Sequence, residues 1–488
     1  MIGWRSTVNL VKLSKGMVES PQHSLSNNLR FFLAISNQKS KIYNRIEQNS
    51  MNQARRRFSK LQLALFTGAM ATTASISLLV PGLSQSVRAE LQDSPKAVLD
   101  EAWQIVNREY VDGSFNKTDW QVARQELLSK DYTSREAAYT ALRKALEKLQ
   151  DPYTRFMDPK QYEALTSQTS GELTGVGMRL EQDEKTKAIT VVEPMENSPA
   201  LKAGIQAGDT ILVIDGKATK GMTVADAAGV IRGAEGTKVT LRIGRSGRME
   251  FDITLTRARI EVAAVRYSLK DEAGKKVGYI RLQEFSSHAG EQMQAAIKKL
   301  SDQKADAFVL DLRGNPGGLL RVSIDIARMW INTGAIVRTV DRAGDSQEMK
   351  ANRTAITDKP LVVLVDDNSA SASEILAGAL KDNKRATVMG GQTFGKALVQ
   401  SVHSLSDGSG LAVTIAHYYT PNGTDISHKG VTPDVKVVVT DEQKLKLANK
   451  PTLVATKDDP VYAQAIALLK TSAASTRPTG NEALVPKK

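Results

Sequence analysis

The sequence predicts a multidomain α/β protein: a helical N-terminal region, a β-rich middle module carrying one helix, and an α/β core. Three observations predict it. The chain has 488 residues, which suits about three domains of ~150 residues. Its hydrophobic pattern changes from helical spacing to strand alternation after residue 165, and then to continuous apolar runs interleaved with helices. Hydrophobic residues make up 41% and charged residues 24%, the balance of a packed protein rather than a disordered one.

Residues 1–89 read as a targeting leader. Arg55, Arg56, Arg57 and Lys60 form a basic segment, residues 61–80 an apolar one, and Val87-Arg88-Ala89 places small residues at cleavage spacing. An export signal at about 51–89, cut after Ala89, is the expectation, and a retained membrane anchor is the alternative. Arg55-Arg56-Arg57-Phe58-Ser59-Lys60 also resembles a twin-arginine signal, a pattern that basic segments produce by chance. Residues 1–50 are either a second targeting element or an over-extended start with Met51 as the initiator.

The net charge is +13, but residues 1–89 hold 12 of the 66 Lys/Arg and 2 of the 53 Asp/Glu, a net of +10. The rest of the chain carries only +3. A near-neutral body gives no electrostatic reason to expect a nucleic-acid partner. There are no cysteines, which excludes disulfides, cysteine nucleophiles and thiolate metal sites.

Residues 90–165 are the helical region. Val98, Trp103, Ile105 and Val106 recur at helical spacing, as do Ala137, Leu142, Leu146 and Leu149, and Asp151-Pro152 ends the run. Tyr110 and Trp120 read as core residues. Residues 166–258 form the β-rich module, with strands at Ala188–Val192, Thr210–Ile214, Lys238–Ile243 and Met249–Leu255 and a helix at 224–233. Gly175-Val176-Gly177-Met178, Ser198-Pro199-Ala200 with Ala203-Gly204, and Gly208-Asp209 followed by Ile211 and Ile214 make this module resemble a PDZ domain. Such domains take an extended peptide onto a sheet edge and hold its terminal carboxylate in backbone N–H groups. Gly175, Val176, Gly177 and Met178 are the peptide-binding candidates, since glycines let amides converge on an anion.

Residues 259–440 alternate strands (Val277–Leu282, Ala307–Leu312, Leu361–Val365, Ala386–Met389, Leu411–Tyr418) with helices (Leu319–Ile331, Ser373–Lys381). Continuous apolar strands are expected where both sheet faces are covered. Residues 441–488 read as a C-terminal tail with one short helix near 460–470 and a loose end.

The chemistry concentrates where the strand Leu361–Val365 runs into a helix start. A serine on such a turn is exposed, and nearby helix N–H groups can hold an oxyanion. Ser371-x-x-Glu374 is equally a capping box, and the two roles can coexist. Ser369, Ser371 and Ser373 are all candidates. Of the five histidines, His23 lies in the leader and nothing local marks His288, His403, His417 or His428 as a base. The other option is a lysine made neutral by burial. Lys396 follows a glycine, has apolar neighbours and lacks an acidic one. Gly390-x-x-x-x-Gly395-Lys396 nearly matches a phosphate-binding loop, but Ala397 stands where Ser/Thr is needed and a strand-like run follows. Gly314-Asn315-Pro316-Gly317-Gly318 resembles the turn around the serine of chymotrypsin-like proteases, with proline in the serine's place. The histidines are not clustered and His-Glu-x-x-His is missing, so neither a metal nor a cofactor is expected.

Together these segments closely resemble the carboxyl-terminal processing peptidases, or tail-specific proteases. The matches are Ser371 to Leu380, Thr393-Phe394-Gly395-Lys396, Asp311 to Gly318, Asp151-Pro152-Tyr153-Thr154 and Gly430-Val431-Thr432-Pro433-Asp434. The resemblance spans about residues 94–440, domain order included. It implies an α/β serine protease core with Ser371 as nucleophile, Lys396 as general base and Gln400 holding Lys396. It also implies an oxyanion site from the amides of Ala372 and of Gly317 or Gly318, with Glu374 and Asp382 as further acidic residues of the site. It implies protein substrates with exposed C-termini, recognised through the PDZ domain, in the periplasm or thylakoid lumen. Cyanobacterial and plastid members trim the photosystem II reaction-centre precursor, which makes that membrane protein the expected substrate, with general tail-specific proteolysis in the envelope as the alternative. Two rivals belong to other classes: a PDZ adaptor with an inactive core, and an envelope chaperone or structural anchor.

Overall fold

The computed structural model describes residues 94–272 and 274–472, all within one compact unit, Gly82–Lys488. The expected leader lies outside the described residues. Among the described residues no helix is long and apolar enough to cross a membrane.

Three helices open the described chain: Pro95–Glu109, Trp120–Leu128 and Arg135–Glu147, each started by a side-chain cap, from Ser94, Asp119 and Ser134. They pack Trp103, Trp120 and Leu142 against Phe156, Leu411 and Val413. Tyr110 and Trp120 are buried there, as expected. The helical region does not run unbroken to 165. A strand, Arg155–Met157, follows Asp151-Pro152, and the next helix, Pro159–Ser170, crosses the expected module boundary. Local chemistry explains this. Asp158 and Gln161 form a capping box, Pro159 occupies the first turn, and Gly171 at φ 70° ends the helix in the left-handed region.

The β-rich module follows. Strands Met178–Gln182, Ile189–Pro194, Thr210–Ile214, Lys217–Ala218, Lys238–Gly244 and Phe251–Thr256 form one sheet. The helix Val224–Ile231 packs on it through Ala227 and Ile231. This agrees with the sequence reading to within a few residues. A two-stranded ladder, Glu172–Gly175 against Ala258–Glu261, joins the module to the core.

The core sheet runs in the order Val265–Asp271, Lys276–Leu282, Ala307–Asp311, Leu361–Val365, Thr387–Gly390, Val435–Lys436. The first pair is antiparallel and the others are parallel. One face (Ile280, Leu310, Val363, Val365, Val388) is covered by helices Ala289–Asp302, Leu320–Arg328 and Ala372–Asp382. The other face (Tyr279, Val309, Val362, Leu364) is covered by Val461, Tyr462, Ala465, Ile466 and Leu469 of the helix Pro460–Ser472. This corrects the reading of 441–488 as a tail: the helix is half of the sheet's cover. A parallel sheet needs both faces covered, and without this helix a row of apolar side chains would meet water.

A second sheet was not expected as such. The strand Gly410–Tyr419 pairs with Leu398–Ser404, Ala335–Asp341 and Arg155–Met157 rather than joining the core sheet, and Ser346–Lys350 extends the edge.

Candidate active site

The site forms where the core sheet meets this second sheet. The buried strand Leu361–Val365 ends in the loop 366–370, and Ser371 opens the helix Ala372–Asp382. Ser371 has φ 56° and ψ −113°. A non-glycine residue in the positive-φ region costs on the order of 1–3 kcal/mol and persists only when its surroundings hold it.

Burial separates the three candidate serines. Ser369 and Ser373 are fully buried, and their hydroxyls donate to Leu312 O and Asn315 O, each at 2.9 Å. Both are staples between the nucleophile loop and the loop after Asp311. Ser371 is only half-buried and is the candidate a substrate can reach. The Glu374 arm of the capping box is formed, with the Ser371 N–H donating to Oε2 at 2.8 Å.

Glu374 does more than cap. The same Oε2 accepts the Lys396 N–H at 3.0 Å, while Oε1 accepts the Thr393 hydroxyl at 2.6 Å and the Gly395 N–H at 2.7 Å. One buried carboxylate thus brings the backbones of Ser371 and Lys396 together, although 25 positions separate them in the chain. Burial raises the Glu374 pKa above the ordinary glutamate value, and the four donors oppose that shift.

Lys396 Nζ lies 4.6 Å from the centre of the Tyr153 ring. It has no ion pair or hydrogen bond among the described residues. Burial lowers its pKa from the ordinary lysine value, Arg155 adds to the shift, and Asp151 and Glu374 oppose it. Tyr153 stands on a turn held by Asp151, which accepts from the Tyr153 N–H at 2.9 Å and from the Thr154 and Thr414 hydroxyls at 2.7 and 2.6 Å. The sequence flagged this tetrapeptide without a role. The structure makes Tyr153 the cover of Lys396.

The loop 314–318 lies against the serine. A Cβ on Gly317 would sit 2.9 Å from Ser371 Cβ and 3.0 Å from Ala372 N, and Gly317 itself has φ 105°. Of the two glycines offered as oxyanion donors, Gly317 has its N–H already donated to Asn315 Oδ1 at 2.9 Å. The amides of Gly318 and Ala372 have no acceptor among the described residues. At its base the loop is anchored by Arg313, which bonds Asp311 Oδ2 at 2.6 Å and Asp459 Oδ2 at 2.8 Å. Asp459 comes from the segment first read as tail.

One expected site residue stands apart, and another lacks the bond expected of it. Asp382 is at the far end of the helix, ~16 Å from Ser371 at 1.5 Å per residue. Its carboxylate accepts the Thr420 hydroxyl at 2.6 Å and the Asn422 N–H at 3.0 Å. It fastens a surface turn and does not reach the serine. Gln400 lies beside a bulge in the strand Leu398–Ser404. It makes no hydrogen bond to Lys396, and its Nε2 is buried without a partner among the described residues. The histidines are elsewhere: His288 faces Glu172 at 3.1 Å, His403 faces Glu109 at 2.8 Å, and His417 and His428 are exposed. Among the described residues no group of three or more His, Asp or Glu could hold a metal.

In the β-rich module, Gly175 ends the joining ladder and Met178 starts the first strand of the sheet. Between them the carbonyls of Val176 and Gly177 are bonded by Ala200 N at 2.8 Å and Met195 N at 3.0 Å. Their N–H groups have no acceptor among the described residues.

The sequence profile of peptidase family S41 matches residues 276–437, and that of the PDZ domain matches residues 190–245. The chain is 43% identical over 386 residues to a carboxyl-terminal-processing protease of Synechocystis sp., covering 79% of this chain and 88% of that one. It is 43% identical over 346 residues to the chloroplastic carboxyl-terminal-processing peptidase 2 of Arabidopsis thaliana, covering 68% and 67%. A solved structure of a photosystem II D1 C-terminal processing protease is 39% identical, with a TM-score of 0.45 over 72% of this chain and 95% of that one.

Proposed function

Since the chain belongs to peptidase family S41 and, within it, to the carboxyl-terminal-processing proteases, we propose that it removes C-terminal tails by acyl transfer through Ser371, with neutral Lys396 as general base. Being a serine-type processing endopeptidase with a PDZ domain, it acts on protein substrates. The observation that carries the mechanism is the Glu374 carboxylate, which gathers the backbones of an accessible serine and a lysine whose burial favours the uncharged form.

In the proposed reaction Ser371 Oγ attacks the scissile carbonyl carbon and its proton passes to Lys396 Nζ. The oxyanion takes hydrogen bonds from the amides of Ala372 and Gly318, which have no other acceptor among the described residues. Lys396 returns the proton to the leaving amine, and the shortened chain stays on Ser371 as an ester. A water, deprotonated by the same amine, then hydrolyses the ester. The Tyr153 ring, centred 4.6 Å from Nζ, limits water there, and burial with Arg155 nearby favours the uncharged amine. The amides of Val176 and Gly177, in the loop 175–178, receive the substrate's terminal carboxylate.

The photosystem II reaction-centre precursor is the substrate we assign, and the periplasm or thylakoid lumen the compartment. Both rest on the composition of the leader and on the cyanobacterial and chloroplastic relatives. Quantitative terminal proteomics of a strain lacking the gene tests the assignment: the precursor should keep its C-terminal extension. A strain that matures it normally while other envelope proteins keep their tails would replace that substrate with a general one. A fluorophosphonate probe tests the chemistry, with its adduct expected on Ser371. An adduct on another serine, or none, would remove the proposed nucleophile.

A further inference from the structure

Tyr418 lies on the strand Gly410–Tyr419 of the second sheet, where its N–H donates to Ala397 O at 3.0 Å. Its side chain is 1% exposed. The phenol reaches the backbone carbonyls of both proposed dyad residues: Ser371 O at 3.1 Å, and Lys396 O through a short bond. The carbonyl of Lys396 has no other donor among the described residues. Glu374 Oε2 takes the N–H groups of the same two residues. The peptide groups of the nucleophile and the base are therefore joined twice, by one carboxylate oxygen through their donors and by one phenol through their acceptors. The helix amides of Glu374 and Ile375 also bond Ser371 O, at 2.8 and 3.0 Å, so Lys396 is the residue whose position depends on Tyr418.

We infer that Tyr418 is a positioning residue for catalysis, fixing the height of Lys396 above Ser371 through the two carbonyls; the inference rests on the Ser371–Lys396 reading above. Both tethered residues need such a hold. Ser371 sits at positive φ, and Lys396 joins Gly395 at φ 92° to a strand that bulges between Val399 and Gln400. A hydroxyl has one proton, so the two carbonyls share it, and each constrains the other. Burial, with Glu374 and Tyr153 nearby, keeps the phenol protonated, so it stays a donor across the working pH range. Misplacing a base by about 1 Å costs on the order of 10²-fold in rate.

The test is Tyr418→Phe in the full chain, which keeps the ring and removes the hydroxyl. Cleavage of a protein substrate with a C-terminal tail should show kcat reduced 10- to 100-fold with KM within twofold. The acid limb of the kcat/KM profile should move to higher pH as Lys396 gains water. Labelling of Ser371 by a fluorophosphonate should slow in step with kcat. Tyr462→Phe is the control. It removes a buried phenol bonded to Glu272 Oε1 at 2.9 Å on the far face of the sheet, and it should lower Tm while leaving kcat and the pH limb in place.

If Tyr418→Phe keeps kcat within twofold and the limb unmoved, the positioning role is wrong. If the two Phe variants behave alike in kcat at matched stability, the role is structural only. Should the Phe variant not fold, fluorotyrosines incorporated at 418 keep the hydroxyl and the volume. Their kcat should track phenol acidity, and a flat series overturns the inference. Lys396→Ala run in parallel keeps the two readings apart. Activity surviving that change removes the dyad itself, whereas its loss beside an unaffected Tyr418→Phe removes only the role of Tyr418.

Discussion

Among the described residues, backbone amides have no acceptor in two loops, at Gly318 and Ala372 in the core and at Val176 and Gly177 in the PDZ module. Both loops use positive-φ glycine, and both suit an anion. Their supports differ. The core loop is fixed from several sides. Asn315 receives the Gly317 N–H, Asp366 receives the Gly314 N–H, the Ser369 and Ser373 hydroxyls reach its carbonyls, and Phe285 bonds it on the outer side. The PDZ loop is held mainly through two carbonyls and the Ser198 hydroxyl, and its module joins the core by a two-stranded ladder. A charge that exists only in the transition state needs donors that do not have to rearrange. A permanent carboxylate can wait for a looser loop to settle on it.

That contrast predicts effects of different size and kind. The largest belongs to Ser371→Ala. Cleavage should fall by about 10⁴-fold or more while tail binding to the PDZ module keeps its Kd, and calorimetry beside a cleavage assay reads both. Next comes Lys396→Ala, with a loss of roughly 10³-fold, near the usual range for a general base. In the parent enzyme kcat/KM should rise with pH through a lysine pKa below the ordinary value, because only the uncharged amine accepts the serine proton. A profile that falls over that range would mean that the essential group acts protonated, and Lys396 would not be the base.

Gly317→Ala sharpens the comparison from the core side. Its Cβ would lie 2.8 Å from Ala370 O at a backbone angle of φ 105°. We expect kcat to drop about 10²-fold, with KM little changed. Gly177→Ala is the counterpart. Its Cβ would meet Ser198 Cβ at 2.3 Å, so KM for tailed substrates should rise about tenfold, ~1.4 kcal/mol, while the rate at saturation is kept. If both variants moved the same kinetic constant, the division of labour between the loops would be lost. The smallest effect is that of Asp382→Asn. It should cost about 1 kcal/mol of stability through the Thr420 turn and leave kcat within twofold.

The sequence made some of this legible and hid the rest for physical reasons. The core strands were readable because both of their faces are apolar, as in Leu361–Val365. The strand Ser346–Lys350 is largely exposed and offers no alternation to read. The helix Pro460–Ser472 was present in the pattern, with Val461, Tyr462, Ala465, Ile466 and Leu469 on one stripe, but the Lys- and Thr-rich surroundings suggested a tail. At the site, residue type and spacing pointed to Ser371 and Lys396, yet only burial separates Ser371 from Ser369 and Ser373. Tyr153 and Tyr418 act across long separations in the chain, and no local spacing announces such contacts. Gln400 was expected to hold Lys396, but it lies beside a bulge and its amide nitrogen has no partner among the described residues.

Asp459 bonds Arg313 at the root of the loop that presents Gly318, and the helix behind it shields one whole side of the central sheet. One short segment therefore ties the cover of the sheet to the loop that presents Gly318. A change that loosens residues 459–469 on the far face would be felt in the cleft through Arg313, without touching a residue that meets substrate.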